Sequence, residues 1–409
     1  MSLRFRNVAV HTVVSLFSGA GGMDLGFVKA GYDITYANDN EKYACMTYRD
    51  NLGHHIHEGP ITEVNLDDIP ESDVIIGGPP CQGFSVAGRM SPDDERSQLV
   101  YDFADVVVAK KPRSFVMENV DHLGKSPRFA VTREALIQRF TEAGYAIDER
   151  ILLASDYGVP QRRKRYFLIG VLDAVEGLDI FPPPCPGLER TSREVLSDFH
   201  PPGEPGNERT INARITTAAT PVMRKSPYSG MLFNGLGRPI DLDRPVQTLA
   251  ATFGGNKTPI VDEWELRGAK KAKSSSCGMR GWNYGDYPLN WAVDYHHLII
   301  KAETKTHASS CGSRGWNYGG KNRPPQFGQA PSRLRRLTVD ESVALQGFPA
   351  DYVLHGPTSA LFRQLGNAVP PGLAKAVAEQ LKLHLPIDGE TPAITPVIEG
   401  ASNTALSFG

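Results

Sequence analysis

Three features of this chain have chemistry to offer: a cysteine in a proline-braced loop, a carboxylic acid closing an apolar run, and a tight cluster of cations. The loop is Gly77-Gly-Pro-Pro-Cys-Gln-Gly-Phe-Ser85, and Cys81 lies in it just after the apolar run Val74–Gly77. A structural cysteine ordinarily sits inside an apolar strand, whereas Pro79 and Pro80 here restrict the backbone and aim the thiol. As a thiolate it is a soft, strong nucleophile wherever neighbouring positive charge lowers its pKa. Glu118 and Asn119 close the run Phe115-Val-Met-Glu-Asn-Val120, for which a plain exposed strand end is the competing reading. Gln161-Arg-Arg-Lys-Arg165 packs four cations into five residues just before an apolar run, and in extended geometry Arg163 and Arg165 share a face. A solvated charge run is the alternative there. Phe17-Ser-Gly-Ala-Gly-Gly22 follows another apolar run, and its glycines let a ligand approach backbone N–H groups at a helix start. It is a poor dinucleotide fingerprint, because Asp24 stands where the third small residue belongs. Asp39 or Glu41, about twenty residues on, is placed to accept from ribose hydroxyls, which points to an adenosine-containing cofactor.

The elements that must hold these residues follow from hydrophobic periodicity. Short apolar runs at Thr12–Phe17, Ile34–Asn38, Val74–Gly77, Ser114–Glu118, Ala146–Ala154 and Tyr166–Val171 read as strands. Helical spacing occupies Met23–Ala30, Lys42–Asn51, Tyr101–Lys110 and Arg133–Ala143, with Gly31 and Gly144 at expected C-caps. This alternation predicts an α/β fold, a doubly wound and mostly parallel sheet whose carboxyl edge carries the chemistry. After Val171 the prolines and glycines of 181–187 and 200–206 break regular structure, and a smaller loop-rich domain is expected. Thr338–Gln346 and Gly372–Leu383 return to helical spacing. The expected division is an α/β domain over 1–185, joined by the helical spacing of 355–385, a loop-rich domain and hinge over 186–354, and a weakly ordered tail over 386–409.

Within the loop-rich part, Ser275-Ser-Cys-Gly-Met-Arg-Gly-Trp-Asn-Tyr-Gly285 recurs as Ser309-Ser-Cys-Gly-Ser-Arg-Gly-Trp-Asn-Tyr-Gly319, identical at 10 of 11 positions. Two copies do not make a solenoid. The net charge of −2 excludes a wholly basic coat protein, yet 264–336 holds 13 Lys/Arg against 4 Asp/Glu, a local excess suited to phosphate contact. At 40% apolar and 22% charged residues, the 409-residue chain is too hydrophobic to stay disordered. Five widely spaced cysteines imply no disulfide framework and fit a reducing compartment. No run of 18 apolar residues occurs, so a membrane span is not expected.

The order of these motifs, Phe-x-Gly-x-Gly-Gly, Pro-Pro-Cys-Gln, Glu-Asn-Val and Gln-Arg-x-x-Arg, then Arg335-Arg-Leu-Thr with Leu345-Gln-Gly-Phe-Pro349, then Gln364-x-x-Gly-Asn-Ala-Val-Pro370, resembles the DNA (cytosine-5) methyltransferase family. The likeness runs from about 11 to 165 and again from 335 to 383. It implies the S-adenosylmethionine-dependent methyltransferase fold and the prokaryotic modification-methylase type. Residue by residue, it makes Cys81 the nucleophile, Glu118 the group that holds and protonates cytosine N3, and Arg163 and Arg165 the cytosine-orienting pair, with Asn119 beside them. Phe17, Gly19, Leu99, Asn367 and Val369 fall where that family contacts S-adenosylmethionine, and Gly21, Gly22, Asp39, Asn40, Ile61 and Pro79 are expected to complete that site. The family usually has Asp before Ile in its third motif, whereas this chain has Pro60-Ile61. The region 186–330 takes the place of the variable target-recognition domain. There Arg280, Asn283, Arg314 and Asn317, with Ser85 from the cysteine loop, are the expected DNA contacts; paired structural turns, or a metal site at Cys277 and Cys311, are the alternatives for the repeat.

The expected activity is therefore methylation of C5 of a flipped-out cytosine in double-stranded DNA, as the modification half of a restriction–modification system. A monomer in the cytoplasm, with a cognate endonuclease as partner and no resident metal, is expected. Three rivals remain. RNA-directed cytosine methylation is disfavoured by the missing Cys-Phe-Thr motif and the large variable region. A non-catalytic DNA regulator would be expected to lose Cys81 or Glu118, and both are present. An NAD-dependent oxidoreductase is disfavoured by the glycine pattern.

Overall fold

The computed structural model describes residues 10–80, 95–174, 177, 179–185, 187–223, 230–268, 316–317, 330 and 332–385. The strands Thr12–Leu16 (β1), Asp33–Asp39 (β2), Ile56–Glu58 (β3), Val74–Gly77 (β4), Ser114–Val120 (β5) and Tyr145–Leu153 (β6) enter one sheet, as does Lys164–Leu172 (β8). Gln161–Arg162 (β7) leaves that sheet and pairs in parallel with Val246–Gln247. The seven-stranded order is β3-β2-β1-β4-β5-β8-β6, parallel from β3 to β5, with β8 antiparallel to both its neighbours. From β1 the chain winds outward through β2 and β3, then returns to β4 on the other side of β1. The carboxyl ends of β1 and β4 thus meet at the topological switch point, where open α/β sheets bind ligands.

The central strands are apolar at consecutive positions because helices cover both faces. On one face Val13, Ile34, Val74, Ile76, Val116 and Ile169 pack with Phe27 of the helix Gly22–Lys29 (α1) and with Leu373, Ala374 and Val377 of the helix Pro371–Lys382. On the other, Val14, Ile75, Phe115, Met117 and Leu168 pack with Phe103 of the helix Glu95–Lys110 and Leu136 of the helix Ala130–Glu142. Within β4, β5 and β8 even and odd positions part to opposite faces, as a two-residue period demands, whereas the register shift at Val13 and Val14 puts Ile34 and Tyr36 of β2 in different cores. Gly26 permits the close crossing of α1 and Pro371–Lys382, since a Cβ there would stand 2.5 Å from Ala374 Cβ and 2.8 Å from Pro371 O.

A third core joins Leu242, Val246 and Leu249 to Leu337, Val343, Phe348, Phe362 and Leu365. It seats the loop-rich segments against the final helices. The helix Val339–Leu345 begins in a capping box between Thr338 and Glu341, and Arg335 Nη1 donates to Glu341 Oε2 at 2.7 Å. Three-residue β3 and the helix Thr358–Asn367 were not expected from periodicity, and the helix Glu95–Lys110 starts six residues before the expected Tyr101. β3 is too short to show alternation, and Glu95–Leu99 carries too few apolar residues to announce a turn of helix. Gly31 and Gly144 end their helices at φ 86° and 100°, as the expected C-caps require.

Candidate active site

After β1 the chain turns through Phe17–Gly21 into α1, with left-handed φ at Phe17 (55°), Gly19 (57°) and Gly21 (77°). A phenylalanine in that region is strained and persists only where its surroundings fix it. They do so here. Ser18 N donates to Asn38 O at 3.0 Å, Gly19 N to Asp39 Oδ2 at 2.8 Å, and Tyr352 Oη to Ala20 O at 2.5 Å. A Cβ on Gly21 would meet Leu52 at 2.3 Å and one on Gly22 would meet Val369 O at 2.4 Å, whereas one on Gly19 would meet nothing within 4 Å. Gly19 therefore faces open space. Asp39 Oδ1 accepts Glu41 N at 2.8 Å, so each carboxylate oxygen takes one backbone donor and keeps acceptor capacity toward the cleft. Burial raises the Asp39 pKa, and the bonds from Glu41 and Gly19 oppose that rise. Behind the turn, Asp24 is fully buried against Tyr48 Oη at 2.9 Å, and burial pushes its carboxyl up to about 6.

Across the switch point, Gly78-Pro79-Pro80 leaves β4. Asn119 Nδ2 donates to Pro79 O at 3.1 Å while its Oδ1 accepts Val120 N at 2.9 Å, so the end of β5 holds the stem of the cysteine loop. Glu118 is 7% exposed, and Arg165 Nε stands 2.7 Å from its Oε1. Ladder geometry puts them together: Glu118 pairs with Phe167 and Val120 with Arg165, which makes Arg165 a same-face diagonal neighbour of Glu118. Burial raises the Glu118 pKa, and the guanidinium groups of Arg165 and Arg163 pull it back only in part. Burial thus favours the protonated form of this acid beside a fixed cation. Only 3.2 Å separates a Cβ position on Gly78 from Glu118 Oε2, so no side chain intervenes between the acid and the loop stem.

Arg163 is wholly buried and reaches elsewhere: Nη1 donates to Leu249 O at 2.9 Å and Nη2 to Gly366 O at 2.7 Å. These two segments form the opposite wall, where Gln247, Thr248 and Thr252 face the cleft from one stretch and Asn367 and Val369 from the other. All these surfaces enclose one cleft of about 1340 Å³. Pockets for one small ligand are typically about 300–1,000 Å³, so this cleft is larger than one such ligand requires.

The sequence profile described as C-5 cytosine-specific DNA methylase matches residues 11–383. The chain belongs to that family. Among curated relatives it is 30% identical over 375 residues to the type II methyltransferase M.MthTI of Methanothermobacter thermautotrophicus, covering 91% of this chain and 97% of the relative. It is 32% identical over 378 residues to the type II methyltransferase M.NgoFVII of Neisseria gonorrhoeae, covering 92% and 86%. The S. pombe Dnmt2 methyltransferase structure shares the fold at TM-score 0.56 and 16% identity, over 91% of this chain and 98% of that one. The protein is a DNA cytosine-5 methyltransferase.

In this methyltransferase the cleft brings together Glu118, Asn119, Arg165 and every expected cofactor residue except Gly21, which turns its back on it to pack against Leu52. Arg163 does not line the cleft, although its charge reaches Glu118. Cys81, Ser85, Arg280, Asn283 and Arg314 lie outside the described residues. Asn317 lies in a two-residue strand, Trp316–Asn317, antiparallel to Thr217–Met223. The charge run is neither wholly solvated nor wholly functional: Arg163 and Arg165 are buried, while Arg162 and Lys164 are exposed and line the cleft. The bland reading of Glu118 as an exposed strand end is incorrect, because β8 and Arg165 cover it. Sequence reasoning missed Gln247 and Thr248 as cleft residues. The only available signal was the polar stretch that follows Val246.

Proposed function

We propose that this methyltransferase transfers a methyl group from S-adenosylmethionine to C5 of a flipped-out cytosine through a covalent bond between Cys81 and C6. The observation that carries the reading is one cleft in which a buried acid, Glu118, is held 2.7 Å from Arg165 and lies across the switch point from an open glycine turn. Gly19, the amino end of α1 and the carboxylate of Asp39 suit an adenosine-containing amino acid. Cofactor contacts are assigned to Phe17, Gly19, Gly22, Asp39, Asn40, Ile61, Pro79, Leu99, Asn367 and Val369. When bound, S-adenosylmethionine supplies a methyl group activated by its sulfonium.

C5 of cytosine is a poor nucleophile until C6 gains a substituent. The Cys81 thiolate adds to C6 while Glu118 gives its proton to N3, so that the added electron pair leaves the ring an enamine rather than an anion. Arg165, directed by its contact with Glu118, stabilises O2 as charge builds, and Arg163 fixes the wall opposite. C5 then accepts the methyl group and loses its proton to a base, and elimination restores the Cys81 thiolate and the aromatic ring while N3 returns its proton to Glu118. A base stacked in duplex cannot reach Glu118, so the nucleotide is flipped out. The exposed Arg162 and Lys164 at the rim supply phosphate contacts.

The type II names of the relatives support a place in a restriction–modification system, acting as a cytoplasmic monomer beside a cognate endonuclease. Among the described residues no helix is long and apolar enough to cross a membrane. Arg280, Asn283, Arg314 and Asn317 of the repeat, with Ser85, are assigned to DNA. A duplex bearing 5-fluorocytosine at the target, located by methylation mapping in expressing cells, tests the mechanism. Wild type is expected to form a covalent adduct, and Cys81→Ala none; an adduct with Cys81→Ala sinks the assignment. Arg280→Ala and Arg314→Ala are expected to relax discrimination between target and mismatch by about 1–3 kcal/mol if they read base edges, and only to flatten the salt dependence if they touch phosphate.

A further inference from the structure

A buried polar junction lies behind the wall that faces Glu118, and the mechanism above leaves most of it without a task. Gln161 Oε1 accepts Leu249 N at 3.0 Å, while its Nε2 donates to Gln346 Oε1. Gln346 Nε2 in turn donates to Leu365 O at 2.6 Å and Ala368 O at 3.1 Å. Arg163 completes the set by holding Leu249 O and Gly366 O. The direction of the two amides is fixed by their surroundings: a backbone N–H pins the acceptor of Gln161, and two carbonyls pin the donor of Gln346. Gln161, Arg163 and Gln346 have no exposed surface.

Leu249 is thus clamped through both its N–H and its C=O, and the C-terminal end of the helix Thr358–Asn367 through three carbonyls, by side chains bonded to or flanking one another. The stretch around Leu249 presents Thr248 and Thr252 to the side of the cleft where Arg162 and Lys164 stand, and the helix end presents Asn367 and Val369 to the glycine turn. The two stretches touch directly as well, since a Cβ on Gly366 would stand 2.5 Å from Ala250 O. A filler of space would not need six directed hydrogen bonds. Buried networks of this kind are rigid when satisfied and costly when one member is lost.

We propose that Gln161, Gln346 and Arg163 are positioning residues that couple the two halves of the cleft, so that a duplex engaged along Thr248–Thr252 sets the Gly366–Val369 segment for the cofactor, and the bound cofactor sets the duplex side. This rests on the reading of the cleft as a joint site for DNA and S-adenosylmethionine. Coupling is reciprocal, and couplings of this kind are typically about 5–150-fold.

The test measures the affinity of the full chain for S-adenosylhomocysteine by calorimetry, with and without a saturating duplex carrying the mapped target. In wild type the duplex is expected to tighten binding at least about fivefold. In Gln346→Met, close in volume and without the amide, that factor is expected to fall below about twofold while affinity without DNA changes less than about threefold. A network with a merely structural role lowers the melting temperature and both affinities and leaves the factor intact; that result overturns the proposal, as does a wild-type factor of one. Gln161→Met breaks the same link from its other end and serves where Gln346→Met does not fold. A measurement on wild type needs no variant: hydrogen exchange over 247–252 is expected to slow when S-adenosylhomocysteine binds without DNA, and unchanged exchange overturns the coupling. Failure of wild type to bind either ligand, or to methylate DNA, overturns the joint-site reading itself and is seen before any variant is made.

Discussion

The two walls of the cleft are held by different forces. On the sheet side, Phe17, Asp39, Glu118 and Arg165 sit at strand ends whose positions are set by the backbone ladder, with ionisable groups buried among them. On the opposite side, Thr248 lies in an irregular stretch and Asn367 at the end of the helix Thr358–Asn367, and both are fixed by the amides of Gln161 and Gln346 and by the Arg163 guanidinium. One wall is rigid through secondary structure and responsive to pH. The other is rigid through bonds from two amides and a guanidinium, none of which changes protonation in that range, and is indifferent to it. Chemistry that moves a proton and must not move a scaffold is well served by such a division.

The sharpest way to break the sheet side is Glu118→Gln. The amide still accepts a hydrogen bond but has no proton to give, and the single-turnover rate is expected to fall about 10²–10⁴-fold with DNA affinity changed less than about threefold. An unchanged rate would remove Glu118 from the acid's role. Because burial raises its pKa, the wild-type rate is expected to decline as pH rises through that pKa, and the Gln variant to lose this limb.

Next in size is the pH response of the sheet side itself. The Asp24 carboxyl lies at about 6 in the fold against an ordinary 3.8. Its favourable contribution is therefore complete below about pH 4 and is lost as pH rises through about 6, a loss on the order of 3 kcal/mol. Asp24→Asn, which cannot ionise and still accepts from Tyr48, is expected to melt higher than wild type at pH 8, with the gap closing by pH 4. Parallel melting curves across that range would show that the buried carboxyl does not titrate. The Gln161–Gln346 junction holds nothing that ionises there, so Gln346→Met is expected to shift melting equally at both ends.

A pair of glycines gives the smallest and most direct contrast. Gly366→Ala drives a methyl group toward the Ala250 and Ala251 backbone at 2.5 Å, an overpacking that costs typically about 1–3 kcal/mol. Gly19→Ala meets no atom and pays only for its left-handed φ of 57°, about 1 kcal/mol, while placing a methyl group in the open space of the cleft. Thermal melts should rank Gly366→Ala as the less stable, and titrations with S-adenosylhomocysteine should rank Gly19→Ala as the weaker binder. The reverse ranking would mean that the walls are misassigned.

The same contrast explains what could be read from the chain alone. Strands, switch point and the sheet-side residues were legible because each is written within a few neighbours: Phe17–Gly22 follows its strand, Glu118 ends its own, and Arg165 keeps a two-residue phase with Arg163. That phase also misled, for a shared face does not fix where long side chains end, and Arg163 finds its partners 86 and 203 residues away. Thr248 was illegible for a like reason. Its place depends on Gln161 and Gln346, which are remote in sequence and ordinary in type.

The antiparallel pairing of β5 with β8 runs through seven consecutive residue pairs, from Ser114 with Val171 to Val120 with Arg165. This makes the meeting of Glu118 and Arg165 a matter of parity. Between the two strands the chain can gain or lose any number of residues in the turns around 126 and 144 and leave the acid and its cation face to face. One residue added inside β8 after Arg165 would send that side chain to the far side of the sheet, toward Leu123 and the aromatic ring of Tyr166 and away from Glu118. Insertion in the turns therefore changes only how far apart Glu118 and Arg165 lie along the chain, whereas a single residue added within the ladder changes which face Arg165 takes.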